Sequence, residues 1–378
     1  MPSGRLKTAQ DVEDFVRGCT FFGTGGGGLP ESGTKTLLEE LDAKTFIGWV
    51  DPVEIPDDAL VASTFFMGSV APPTPQEQDE LKSLGLTEAL FTEKEMLLQA
   101  LEELGEHLQK PVFAIVPPEI GAANGPGPLA VGAHAKLFVV DGDYAGRSVP
   151  EIQCTTFCMT KRRLWPLACV DRFGNVTVIK RAASVDALEK LARFPANATY
   201  GLAGQASFVL SGKEMKETVI PGTLTLSYAL GRFIRESRKL GGDIAKLISA
   251  YIEGWLLIEG KITSKEEKKT AGYLSGSIDI SDGKKKLTLW FRNETHLASL
   301  DGKAVVMSPD IVSVVRAGSG EPTIHAQLEP GDEVSVIGAR APRQLRTNAG
   351  IAAMGPRHWG YDFDYVPIEE LVKRNLTG

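Results

Sequence analysis

The chain has 378 residues, 41 Lys+Arg against 48 Asp+Glu and a formal net charge of −7. A 43% hydrophobic and 24% charged composition is that of a folded protein with a substantial core, which excludes disorder as its dominant state. A net negative charge without a dense Lys/Arg block excludes a dedicated nucleic-acid or anionic-membrane binder, and no apolar run approaches the roughly 18 residues of a membrane span. Residues 1–10 lack the hydrophobic stretch of a signal peptide, so a cytoplasmic protein with reduced thiols at Cys19, Cys154, Cys158 and Cys169 is expected.

The length predicts two domains, 1–170 and 171–378. In the first, a helix from Asp11 to about Gly18 runs into Gly23-Thr24-Gly25-Gly26-Gly27-Gly28, and helical spacing resumes from Ser32. Strands are expected at Thr45–Val50, Ala59–Phe66, Pro111–Val116 and Lys136–Val140, with an amphipathic helix at Glu93–Gln109. That alternation predicts an α/β domain with a mostly parallel sheet. In the second, Asn175–Lys180 reads as an edge strand, and helices follow at Ser184–Arg193, Thr223–Arg238 and Asp243–Glu253. From 255 to 340 short apolar runs alternate with turn signals, which predicts an α+β domain containing a small barrel or sandwich. The Lys-rich stretch Ser264–Thr270 reads as a solvated loop, and 355–368 as a packed closing segment or lid.

Four features bear on chemistry. The glycine run precedes a helix, so its N–H groups can hold an anion or a polarised carbonyl, although a tight turn would use the same residues. In parallel sheets ligands gather beyond the carboxyl ends of strands, where this chain places Glu119 and Asn124, and then Asp141, Asp143, Arg147 and Glu151. Asp141 and Asp143, two apart on extended chain, can share a proton, hold a hard divalent metal with help from His134, or grip an amide-containing ring. The plainer alternative makes Asp141 a helix cap and pairs Arg147 with Glu151. Cys19, beside the glycine turn, is either a thiol activated by amide dipoles or core packing. Asn293 and Glu294 end a strand and can face the first domain's cleft.

The ordered set Gly23-Thr24-Gly25-Gly26-Gly27-Gly28, Glu119-Ile120-Gly121 with Asn124, Asp141-x-Asp143-x-x-Gly146-Arg147-x-x-Pro150-Glu151, Asn293-Glu294, Pro309-Asp310-Ile311 and Gly355-Pro356-Arg357 resembles the S-methyl thiohydantoin desulfurase family (DUF917) over nearly the whole chain. Two departures, Ser148-Val149 where relatives tend to carry Ala-Phe and Gly142 where Ala is frequent, bear on pocket shape. The resemblance implies a hydrolase of small cyclic amides, hydantoins or S-methyl thiohydantoins, cleaving C–S or C–N. Asp141, Asp143 or Glu119 would be general base or metal ligand, and water or Cys19 the nucleophile. Thr24 to Gly28, Asn124, Arg147, Glu151, Asn293 and Glu294 would bind substrate. A non-catalytic subunit holding a hydantoin-like metabolite for a hydantoinase or oxoprolinase partner is the alternative, and homo-oligomerisation is left open.

Overall fold

The computed structural model describes residues 4–70, 72–270 and 272–376. A first sheet collects β1 (Leu60–Gly68), β2 (Ala114–Ile115), β3 (Phe138–Val139), β4 (Leu167–Asp171), β5 (Val176–Ile179) and β6 (Leu202–Ser211) in the order β3-β2-β1-β6-β4-β5. The α/β class expected from the sequence is the one the chain adopts, and β5 is the edge strand foreseen. The parallel pairing is confined to β1, β2 and β3, whereas β6 runs antiparallel to both β1 and β4, so the sheet is mixed rather than mostly parallel. The strand responsible, β6, comes from beyond residue 171 and carries fully buried Gln205 and Ser207. Neither alternation nor an unbroken apolar run marks it.

Helices flank this sheet: α1 (Ala9–Phe22), α2 (Pro30–Asp42), α3 (Glu93–Leu108), α4 (Pro126–Ala135), α5 (Val185–Ala198) and α6 (Thr223–Ser237). A capping box fixes the start of α1, where Thr8 and Asp11 exchange hydrogen bonds, and the glycine turn ends it. The residues of α4 are nearly all apolar and buried, so no polar face announced it as a helix. Among the described residues no helix is long and apolar enough to cross a membrane.

The second sheet has seven antiparallel strands: β7 (Trp255–Thr270), β8 (Tyr273–Ser281), β9 (Lys286–Arg292), β10 (Glu294–Leu300), β11 (Lys303–Met307), β12 (Ile311–Arg316) and β13 (Glu333–Ala339). Its order is β11-β10-β9-β8-β7-β13-β12. Register shifts between Leu256 and Ile258, Ile262 and Ser264, Trp290 and Phe291, and Ala298 and Ser299 add local twist, and the sheet curls into a half-barrel. One apolar cluster including Ile262, Ile278, Leu289, Phe291, Val314 and Val336 fills it. Ser264–Thr270, expected as a loop, is instead the outer half of β7, with Lys265 opposite Ile278. Its charges hid it, because this hairpin arm is held by backbone bonds and by pairs such as Lys265–Glu267 at 2.9 Å rather than by apolar alternation.

The two halves join at the glycine turn. Thr295 N–H donates to Thr24 O and His325 N–H donates to Gly25 O, both at 2.9 Å. The closing segment docks through Trp359, whose ring lies 4.0 Å from that of His296.

Candidate active site

A cavity of about 460 Å³ opens where the carboxyl ends of the parallel strands meet the β9–β10 hairpin. The glycine turn (Gly25 to Gly28), the end of β1, Glu119 and Val149 to Ile152 line it from the first half, and Asn293, Glu294 and His325 from the second. This is the strand-end position that α/β sheets give their ligands.

Glu119, Glu151 and Glu294 are buried carboxylates that line it. Glu119 accepts Asn124 Nδ2–H and the Val149 N–H, both at 2.6 Å. Glu294 Oε1 accepts the Ser148 hydroxyl at 2.9 Å, while Oε2 has no partner among the described residues. Burial pushes Glu119 up to about 7, against the hydrogen bonds from Asn124, Val149 and Ser148 that pull it down. Burial, then the charge of Glu119, pushes Glu294 up to about 8. Near neutral pH such a pair holds one carboxylate and one carboxylic acid, a base and an acid a serine apart.

The glycine turn is shaped by what presses on it. A Cβ on Gly25, whose φ is +92°, would stand 2.2 Å from His325 Nε2. Thr24 keeps a left-handed φ of +51°, unusual for a β-branched residue. Its hydroxyl accepts from Arg147 Nη2 at 2.9 Å and its carbonyl from Thr295, and these bonds hold it there. His325 stacks on Phe291 with centroids 4.5 Å apart and hydrogen-bonds Thr295 Oγ1 through Nε2 at 3.0 Å. Burial, then Lys265, holds it down at about 3, so the ring is neutral at pH 7.

Several residues read from sequence as chemical have other employment. Arg147 is fully buried and does not line the cavity. Its guanidinium donates to the carbonyls of Ser148, Pro309, Asp310 and Thr295 and to Thr24 Oγ1, at 2.9–3.2 Å, and makes no pair with Glu151. It is a clamp between the halves, while the Asp310 carboxylate itself accepts from the Ala341 and Ile368 N–H groups, Tyr365 and Arg346. Asp141 caps α6, accepting the Thr225 N–H at 3.0 Å and hydroxyl at 2.5 Å. Asp143 accepts the N–H groups of Ala145 (3.0 Å) and Gly146 (2.6 Å), and burial pushes it up to about 7. Both aspartates lie toward the start of α6, where Thr223 also meets Asp143, and neither lines the cavity. His134 pairs with Glu40 at 3.1 Å, away from both, and these three do not form a metal site.

Cys19 is fully buried, its thiol pushed far up by burial and lying 2.9 Å from where a Gly125 Cβ would be. Its side chain packs within the apolar cluster around α1. Asn124 lines the cavity, but its amide is occupied by Glu119 and by the backbone of Phe66, so it orients the carboxylate. Asn293 forms the β9–β10 turn at φ +58° and bonds the Leu274 backbone in both directions.

Glu151 lines the cavity, ties it to the closing segment through His358 Nε2 at 3.0 Å, and pairs with Arg292 at the end of β9 at 3.2 Å. Burial pushes this carboxyl up, and His358, Arg292 and Arg193 outweigh that and hold it low. Glu151, Cys154 and His358 place their ligand atoms within 4.8 Å of one another. The donor set suits a borderline-soft ion, yet the arrangement fits one poorly. Arg292 already balances the carboxylate, and the Cys154 thiol, raised by burial and then by Glu151, donates to Ala353 O. The cluster is an ion-paired strap.

Sequence reasoning missed Ser148 as the link between the carboxylates, and missed His325, which sits in a 3₁₀ turn with no motif around it. It also missed Arg193, which lines the cavity but is saturated by Glu189, Pro150 O and Gly272 O.

Residues 10–181 match the model of the S-Me-THD-like N-terminal domain, and residues 183–368 that of the S-Me-THD-like C-terminal domain. The chain belongs to the S-methyl thiohydantoin desulfurase-like family. A crystal structure of a protein from Chromobacterium violaceum is similar to this S-Me-THD-like chain, with a TM-score of 0.76 and 21% identity over 97% of this chain and 100% of that one. That likeness is one of fold. No curated protein matches the sequence.

Proposed function

We propose that the cavity is an active site that hydrolyses a small cyclic amide of the hydantoin or S-methyl thiohydantoin type. The observation that carries this reading is the buried pair Glu119 and Glu294, which share one cavity wall and titrate on the neutral side of their ordinary values. Membership of the S-Me-THD-like family supports this choice of substrate class.

For an S-methyl thiohydantoin the ionised carboxylate takes a proton from water as the water oxygen bonds the ring carbon that bears sulfur. The protonated carboxyl gives its proton to the ring nitrogen. In the collapse of the tetrahedral intermediate the C–S bond breaks, and methanethiol departs with the proton that the first carboxyl had taken. The new hydroxyl proton returns to the second carboxyl. Hydantoin and methanethiol are the products, and both carboxyls end as they began. A plain hydantoin would instead break its ring C–N bond and open to a ureido acid. The unpartnered Glu294 Oε2 and His325 Nδ1 support contact with the ring, and the amides of the glycine turn support its carbonyl.

The test is mass-spectrometric turnover of S-methyl thiohydantoins, 2-thiohydantoins and hydantoins by the wild type, Glu119→Gln and Glu294→Gln. Expected are methanethiol or a ring-opened acid, and a loss of about 10²–10³-fold in each variant. Thermal stabilisation by these compounds with no product from any of them would overturn the hydrolase reading in favour of a binding subunit.

A further inference from the structure

The carboxyls of Glu119 and Glu294 receive unequal company. Glu119 Oε1 accepts the Asn124 amide and its Oε2 the Val149 N–H, both at 2.6 Å, the short length of bonds to a charged acceptor. The Asn124 amide cannot turn round, because its Oδ1 accepts the Phe66 N–H at 2.8 Å, which aims Nδ2 at Glu119 and at Phe66 O. Both Glu119 oxygens thus face N–H donors, and a proton on either would weaken an acceptor that a buried N–H needs.

Glu294 is arranged otherwise. Its Oε1 accepts the Ser148 hydroxyl at 2.9 Å, while Oε2 is buried and has no partner among the described residues. An ionised Glu294 would leave that oxygen bare of hydrogen bonds and of water, whereas protonation makes it a donor held for a ligand. Ser148 has one hydroxyl hydrogen, and giving it to Oε1 leaves Oε2 as the oxygen for the proton. The other charged groups bearing on the pair do not reverse this. Arg147 pulls both carboxyls down, and Asp143, itself raised by burial and then by Glu119, does not line the cavity.

We propose that Asn124 and Ser148 are positioning residues that fix where the proton of the pair resides: Glu119 is held ionised, and Glu294 carries the proton on Oε2. The chemical roles that follow rest on the hydrolase reading. Glu119 is then the base that takes a proton from water as the C–O bond forms, and Glu294 Oε2–H is the acid that protonates the ring nitrogen as the C=N π electrons move onto it. On collapse the C–S bond breaks, the departing methanethiolate takes the proton from Glu119, and the new hydroxyl proton returns to Glu294.

The experiment is a pH titration of the full chain by carbon-13 NMR with label at glutamate Cδ, alongside turnover of S-methyl thiohydantoins and hydantoins. Glu119→Gln and Glu294→Gln each remove one resonance and so assign it. At about pH 7.5 the wild-type Glu294 carbon should stand at the protonated position and the Glu119 carbon at the ionised one. Asn124→Ala takes one donor from Glu119 and should move its step up by at least about one pH unit, and with it the acidic limb of the pH–rate profile, which lost packing alone would not shift. Ser148→Ala should raise the Glu294 step, and Ser148→Thr should restore it. If the alanine variants fail to fold, the wild-type titration still decides. The expected titration with no product from any compound would uphold the placement of the proton while the hydrolase reading falls. A proton on Glu119, or one shared evenly so that both carbons titrate through both steps, would overturn the proposal even if substrate were hydrolysed, and so would an unmoved Glu119 step in folded Asn124→Ala.

Discussion

Gly26 lies directly against the carboxylate of Glu294: a Cβ at position 26 would stand 2.1 Å from Glu294 Oε1. Gly26, unlike its neighbours Gly25, Gly27 and Gly28, does not have a positive φ, so alanine there would meet a side chain without straining the backbone. Gly26→Ala should therefore keep most of its stability, within about 1–2 kcal/mol, while displacing Glu294 and lowering turnover about 100-fold. Paired thermal denaturation and kinetics check it. Unchanged turnover would remove Glu294 from the chemistry.

The carboxylate pair ties stability to pH with a definite sign. Both carboxyls have ordinary values of 4.5, and burial raises them to about 7 and about 8 in the folded protein. Across that window the unfolded chain sheds protons that the folded one keeps, so their contribution is fully present below pH 4.5 and is lost as pH rises to about 8. Denaturant titrations between pH 5 and 8.5 should show the wild type losing a few kcal/mol relative to the Glu119→Gln, Glu294→Gln double variant. Turnover, which needs one proton on the pair, should peak between the two values and fall on either side.

Cys19→Ala should leave turnover within about twofold of wild type and cost about 1–2 kcal/mol from lost packing. Iodoacetamide, added to the folded protein and followed by peptide mass spectrometry, should leave Cys19 unmodified, because its thiol is buried and neutral. Loss of activity by a stable alanine variant would restore the thiol to the mechanism.

Arg147 should behave as a structural residue. Removing its guanidinium leaves buried carbonyls of Pro309, Asp310 and Thr295 without a donor. Arg147→Ala should cost about 3 kcal/mol or more, and Arg147→Lys should recover only part of it, since an ammonium cannot reach acceptors spread across a planar fork. Chemical denaturation checks both.

What could be read from the sequence followed a physical rule. Glu119, Asn124 and the glycine turn were legible because strand ends in an α/β sheet converge, and Glu294 because a polar pair closed an apolar strand. Asp141, Asp143 and Cys19 were equally close in sequence to the right loops, yet their side chains point to a helix start, a local turn and a core. That orientation is set by backbone torsions that spacing alone does not report. β6 was hidden by its buried Gln205 and Ser207, which bond the carbonyls of Ala192 and Pro166 from neighbouring segments. Ser148 and His325 owe their place to the docking of the two halves, which no local pattern encodes.

The Arg147 clamp also sets an order of events during synthesis. The carbonyl of Asp310 that receives its guanidinium lies 163 positions further along the chain. At about 5–20 residues per second a ribosome takes on the order of ten seconds or more to deliver that acceptor. Until then the guanidinium has only Ser148 O and Thr24 Oγ1 among its acceptors within reach. The glycine turn stays unlatched, and the cavity lacks the wall formed by Asn293, Glu294 and His325 until the second half arrives.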